Sequence, residues 1–241
     1  MKVLKKVKDA IPRRVKEFLL PIRCLISNKY SSEMAFWNKR LEIDHGTFQN
    51  SFYKRFMLAM AGELDETFLN GKIIADFGCG PRGSLTWARS ASLRIGIDVL
   101  ADRYADNFQS NIISHGMVYV KSTEKVIPIP SDFVDVMFTL NALDHVDSFP
   151  TMCKEIVRVL KPGGDFIGSF NLEEPAAPCE PQKLNEQIIK QHLLDFLRIK
   201  SYRVTKRGPE NDPYGPFFEG ELSYEKGQKG FLWVRASRPT S

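Results

Sequence analysis

The sequence predicts an α/β fold: a doubly wound, mostly parallel, seven-stranded sheet with an antiparallel last strand and an N-terminal helical cover. Three observations carry that prediction. Short apolar runs alternate with helical patterns from residue 72 to about residue 197. The first run, "KIIADFG", opens into a glycine turn spaced Gly78-x-Gly80-x-x-Gly83. The last two runs are joined by a long polar, Gly/Pro-rich stretch without helical period, so the seventh strand is expected antiparallel to the sixth.

In order, "KIIADFG" reads as a buried strand ending in glycine, and "SLTWARSA" as a helix opening at the turn. "LRIGIDV" is strand two, "ADRYADNF" a short helix and "MVYVKS" strand three. "FVDVMFTL", after the proline-punctuated "VIPIPSD", is strand four. "FPTMCKEIVRVL" places Met152, Ile156, Val159 and Leu160 on one helical face, and "KPGG" is expected to stop that helix. "DFIGSF" is strand five, "PQKLNEQIIKQHLLDFL" a helix, "IKSYRVTKR" strand six and "GFLWVRAS" strand seven. No internal repeat or low-complexity segment interrupts the series.

Three regions are expected: a basic amphipathic segment over residues 1–30, a helical cover over 31–71, and the sheet domain over 72–241. The chain's net charge of +5 is concentrated at the start, where residues 1–30 hold nine Lys/Arg against Asp9 and Glu17. The body is therefore slightly acidic, which argues against nucleic acid as a partner. Leu4, Val7, Ile11, Val15, Phe18 and Leu19 recur at roughly helical spacing, interrupted by Pro12 and Pro21. Two readings stay open: a solvated helix packed by one face, or peripheral contact of residues 1–20 with anionic lipid or an acidic partner. Residues 31–71 carry Phe36, Trp37, Phe48, Phe52, Tyr53, Phe56 and Phe68; the segment is expected to cover the sheet's ligand edge, with plain core packing the expected fate of most of these aromatics.

Cys24, Cys79, Cys153 and Cys179 form no C-x-x-C pair and read as free thiols of a reducing, cytoplasmic compartment. With four scattered histidines, no metal site is expected. The hydrophobic fraction of 43% and charged fraction of 26% are those of an ordinary globular chain able to bury a sizeable core.

The glycine spacing is that of a pyrophosphate turn, yet Asp76 stands two residues before the first glycine. Asp98, ending strand two, suits ribose hydroxyls of either a dinucleotide or an adenosine cofactor. Asp76 distinguishes them. A carboxylate within a few ångströms of a pyrophosphate, away from bulk water, costs on the order of several kcal/mol. A cofactor with an ammonium and a sulfonium is attracted instead. Arg82, the phosphate-friendly residue of the loop, is expected to face solvent.

Residues 72–171 resemble the core of class I S-adenosylmethionine-dependent methyltransferases. The resemblance rests on "ADFGCGPRG", "GIDV", "IPIPSDFVDVM", "LNALDHV" and "RVLKPGG", in this order and at these separations. It implies a Rossmann-like methyltransferase fold and S-adenosyl-L-methionine as cofactor. Carried over by position, Gly78, Cys79, Gly80 and Gly83 approach its methionine part, Asp76 its amino group and Asp98 its ribose. Thr123 stands where the family commonly has Asp at the adenine, and the nearest acid is Glu124, so both are candidates. Asn141 closes the cofactor set. Lys161–Gly164 is expected to be structural.

"NALDHV" places Asp144 and His145 beyond strand four, facing the acceptor. His145 is the candidate general base, oriented by Asp144 or Glu173, with structural packing over the cofactor as the alternative. Glu173 and Glu174 in "NLEEPAAPCEPQ", Tyr214 and Phe217 in "DPYGPFFEGE", and Trp37 from the cover are expected to line the acceptor side. Aromatic faces with carboxylates suit a small-molecule or glycan hydroxyl, and equally a cationic amine. Strand four lacks the Asn-Pro-Pro-aromatic ending expected for nucleobase amines. An N-methyltransferase, an NAD(P)-binding oxidoreductase and a non-catalytic S-adenosylmethionine-binding protein stand as alternatives. The location expected is cytoplasmic, at the inner membrane face if residues 1–20 bind lipid. Oligomeric state is not legible.

Overall fold

The computed structural model describes residues 29–210, 212–220 and 223–240. Residues 1–20 and Cys24, and with them the lipid and thiol expectations placed there, lie outside the described residues. The strands are Ile73–Phe77 (β1), Leu93–Asp98 (β2), Val118–Lys121 (β3), Val134–Leu140 (β4), Leu160–Leu172 (β5), Arg198–Lys206 (β6) and Gly230–Ser237 (β7). They form one seven-stranded sheet in the order β3-β2-β1-β4-β5-β7-β6. Neighbours from β3 through β5 pair in parallel, and β7 is antiparallel to both β5 and β6. The order reverses between β1 and β4, so the loops leaving these two strands part and open a crevice at their carboxyl ends.

The sheet is central because its strands are apolar on both faces. Ala75 and Phe77 join Ile95, Met137 and Phe166 in one core, while Ile74 joins Val136, Phe138 and Ile167 in the other. That alternation is the period of two along a pleated strand. The first core is closed by Phe149–Val159 (the helix here called αC), whose Phe149, Met152, Cys153, Ile156 and Val159 are all buried. The second is closed by Phe52–Ala61 (αB), through Tyr53, Met57 and Met60. Truncating one of these buried side chains to Ala costs about 2–5 kcal/mol. Lys29–Ile43 (αA) buries only Met34 and reaches over the crevice rather than a sheet face.

Several local expectations are corrected. Residues 84–91 are a chain of turns, closed by Thr86, Ala88 and Arg89 N–H groups on carbonyls two or three residues back. The end of that segment is held to the residues just before β1, with Gly71 N–H donating to Ser90 and Ser92 N–H to Lys72, and the turns fill the short path to that anchor. αC ends at Val159, before the proline, because Leu160 is already extended and "KPGG" is the first part of β5. Gly163 turns there with φ +78° and donates to Arg238. The helix expected from residue 181 begins only at Glu186, where the Asn185 side chain accepts from the Ile188 N–H, and it ends at His192. Cys79 and Cys153 are buried free thiols, but Cys179 is disulfide-bonded, which overturns its reading as a free thiol. Among the described residues no helix is long and apolar enough to cross a membrane, and no cluster suits a metal ion.

Arg82 does not face solvent. It is 7% exposed, donates to Asp44 Oδ2 at 2.8 Å and lies over the Phe52 ring at 5.0 Å. Burial pushes the Asp44 carboxyl up, but the Gln49 N–H and Arg82 outweigh it, so Asp44 stays below its ordinary range. The pair ties the glycine loop to the segment just after αA. Arg82→Ala should destabilise the protein by about 1–3 kcal/mol, because buried Asp44 loses its nearer cation and keeps only Gln49 N–H and Arg40 Nε at 3.5 Å. Chemical denaturation checks this, and an unchanged midpoint contradicts it.

Candidate active site

At the carboxyl ends of β1 and β4 lies a cavity of about 640 Å³. Its floor is the glycine loop, where Gly78 has φ +72° and a Cβ on it would lie 2.2 Å from Ala142 Cβ. Only glycine permits the loops to cross that closely. A Cβ on Gly80 would strike the Trp37 indole at 2.7 Å, so αA covers the loop directly. Gly78, Cys79 and Trp37 line the cavity, whereas Gly80 and Gly83 are not on its wall. Gly83 packs instead against the His115 ring.

Asp98 lines the cavity, its Oδ2 accepting from Gly80 N–H at 3.0 Å and its Oδ1 from Leu100 N–H at 2.9 Å. Burial pushes it up to about 6 despite these bonds. Asp76 lies beneath the floor, 2% exposed and off the wall. Ser84 Oγ donates to its Oδ2, while its Oδ1 is buried without a partner. Burial, with the nearby Asp98 charge, pushes Asp76 up to about 7. Glu33 of αA adds a further negative charge to the same wall.

Ser122, Thr123 and Glu124 line the far end. The Thr123 hydroxyl accepts from Lys125 and Val126 N–H groups. Glu124 accepts from Lys29 Nζ at 2.9 Å, the Tyr30 hydroxyl at 2.8 Å and the Asp147 N–H at 2.9 Å, and so clamps the start of αA across the cavity.

Around β4, Asn141 adopts φ +48° and lines the cavity. Its Nδ2 donates to the Tyr214 hydroxyl at 2.6 Å and its Oδ1 accepts from Ser169 Oγ at 3.0 Å. His145 is on the wall, with Nε2 4.0 Å from Asp144 Oδ1 and 3.8 Å from Glu180 Oε1. Asp144 is 3% exposed, its Oδ2 held by Asn171 Nδ2 at 2.6 Å and its Oδ1 unpartnered. Burial raises both Asp144 and Glu180.

The acceptor-side expectations divide. Tyr214 lines this cavity and a second one of about 450 Å³ beside it, and Glu174 lines the second. Glu174 is engaged by Lys229 at 2.6 Å and by Arg207. Glu173 pairs with Lys183 at 3.0 Å and reaches neither cavity, so Glu180, not Glu173, stands beside His145. Phe217 is stacked on Trp233 at 4.1 Å in the core and also reaches neither. Glu180 was missed because a tight turn, with mutual backbone bonds between Ala177 and Glu180, folds it back to the site. The "PAAPCEP" prolines are the signal that could have marked it.

Residues 75–168 match the family described as "Methyltransferase domain". The fold is similar to a chain from the Haloferax volcanii Trm112 methyltransferase-activator complex (TM-score 0.60, 15% identity, 88% of this chain and 98% of that one). It is similar to an S-adenosylmethionine-dependent methyltransferase from Mesorhizobium loti (0.54, 18%, 75% and 96%). Geranyl diphosphate C-methyltransferase from Streptomyces coelicolor gives 0.54 at 17% identity over 78% and 79%. No curated protein matches the chain in sequence. The fold is that of the class I S-adenosylmethionine-dependent methyltransferases. The Mesorhizobium loti neighbour is named for its dependence on S-adenosyl-L-methionine. The residues present fit that group: an orphaned Asp76 oxygen, Asp98 and Glu33 form an acidic end suited to a cationic molecule and hostile to a diphosphate.

The raised Asp76 carries a pH dependence. The unfolded chain releases this proton near its ordinary 3.8 and the folded protein at about 7. Its contribution to stability is therefore complete below about pH 4 and is lost as pH rises through about 7. Asp76→Asn should flatten that loss in denaturation measured at several pH values; equal slopes for both proteins contradict the burial assigned to Asp76.

Proposed function

We propose that the protein transfers a methyl group to a hydroxyl oxygen of a small-molecule or glycan acceptor. The observation that carries this reading is His145 on the cavity wall between two carboxylates, buried Asp144 and half-exposed Glu180. A proton on Nε2 faces Asp144 and Glu180, which leaves Nδ1 with the lone pair of a general base. Glu180 takes the orienting place expected of Glu173. When bound, S-adenosylmethionine supplies a methyl carbon on a cationic sulfur, so the protein's task is positioning and removal of the acceptor's proton.

Gly78 and Cys79 let the backbone approach the methionine part, and Asp98 holds the ribose. Asp76 meets the amino group through a bridging water, since its carboxylate lies under the floor. Thr123 and Glu124 stand at the adenine end, where Glu124 also holds αA closed. A second reading, transfer to a small amine, is favoured by the same carboxylates that flank His145. Basic residues 1–20 extend the proposal to the inner face of a membrane, in a cytoplasmic protein.

Asp98→Ala should weaken S-adenosylhomocysteine binding at least about tenfold in calorimetry, since two charge-assisted ribose contacts are lost. Unchanged affinity removes Asp98 from the cofactor set. His145→Ala should lower turnover about 10²-fold or more while keeping cofactor affinity; full turnover leaves His145 a packing residue. Liposome flotation of the full chain against one lacking residues 1–26 tests the membrane contact, and equal flotation ends it.

A further inference from the structure

The second cavity shares Asn141, Glu180 and Tyr214 with the first, so the three form the wall between cofactor side and annex. Tyr214 is the informative member. Its hydroxyl oxygen accepts from Asn141 Nδ2, and that amide is oriented by Ser169, which donates to Asn141 Oδ1. Burial raises Tyr214 above its ordinary value, so it keeps its proton. A phenol whose oxygen already accepts has its O–H left to donate, and this one sits where the two cavities meet.

We propose that the acceptor is a neutral, sugar-like polyol seated in the second cavity, and that Tyr214 donates a hydrogen bond to its reacting oxygen. This rests on the methyl-transfer reading above and decides between its two acceptors. A hydroxyl oxygen has two lone pairs. One forms the new C–O bond as the methyl–sulfur bond breaks with its electrons remaining on sulfur; the other accepts from Tyr214. The hydroxyl proton passes to His145. A neutral amine has a single lone pair, which must attack, so a donor at this position would compete with the reaction instead of orienting it.

The rest of the annex fits the same class of molecule. Tyr214 and Phe231 pack on each other with ring centroids 4.9 Å apart at 56°, which fixes the phenol at the wall between the two cavities. Asn171, Glu180 and Glu210 add amide and carboxylate groups to the wall. Its two cations among the described residues, Arg207 and Lys229, are both held by Glu174, so an anionic acceptor finds each of them already paired. The annex is therefore polar without being a phosphate or carboxylate site.

The test uses the full chain and matched methyl hexopyranosides and their amino-deoxy counterparts, with two readouts. Saturation-transfer NMR in the presence of S-adenosylhomocysteine reports contact, and S-adenosylhomocysteine release from S-adenosylmethionine reports transfer. Hydroxyl members should show contact and transfer, and amino members should lack transfer at the equivalent position. Tyr214→Phe keeps the ring and its packing. It should retain cofactor affinity, weaken pyranoside contact and lower kcat on hydroxyl members about 10- to 100-fold. Transfer to amino members alone, an unchanged kcat in Tyr214→Phe, or absence of pyranoside contact overturns the proposal. Failure of the wild-type protein to bind S-adenosylhomocysteine overturns the methyl-transfer reading instead, and calorimetry on that ligand alone separates the two failures.

Discussion

The site depends on the approach of two backbones, that of Gly78 leaving β1 and that of Ala142 beyond β4. A single added methyl at residue 78 would sit 2.2 Å from Ala142 Cβ. Because the strand order turns around between these two strands, their loops part just above this contact, and the cavity is the space so opened. Several of the candidate functional groups then take their places from strand ends. Cys79 comes from β1, Asp98 from β2, Thr123 and Glu124 from β3, and Asn141 and His145 from β4. αA supplies the roof through Trp37 and Tyr30.

Charge gives this crevice its selectivity. Asp76, Asp98 and Glu33 lie together; among the described residues Asp76 and Asp98 accept from backbone N–H groups, Ser84 and Tyr104 and from no cation. Arg82, the basic side chain of the glycine loop, is turned away to Asp44. Desolvation therefore holds Asp76 near neutrality, and a cationic ligand is the partner that would return it to its ionised form. The opposite end is organised differently: Asp144 and Glu180 flank His145, and Asn141 links β4 to Tyr214 and the annex.

The sheet was legible in the sequence because each strand is an apolar run bounded by glycine, proline or charge. The antiparallel β7 followed from a connection with no helical period. What misled was local. "SLTWARSA" has helical composition, but tertiary anchoring of Gly71 and Ser92 overrides it. Of the candidate site, residues adjoining strand ends, such as Asp98, Asn141 and His145, were readable from position along the strand. Residues on long loops were not, because a loop's path depends on contacts the sequence does not display. Thus Glu173 pairs with Lys183 while Glu180 returns to the site, and Phe217 enters the core while its neighbour Tyr214 reaches the cavity. Arg82 was misplaced for the same reason, since its partner Asp44 lies 38 residues earlier.

The central claim is that this crevice is electrostatically built for a cationic cofactor. Isothermal calorimetry at about pH 6.5, in buffers of different ionisation enthalpy, tests it most directly. S-adenosylmethionine should bind with net proton release, as its charge ionises Asp76 and Asp98, and NADH should give no heat. Binding of NADH, or S-adenosylmethionine binding with proton uptake, would contradict the account.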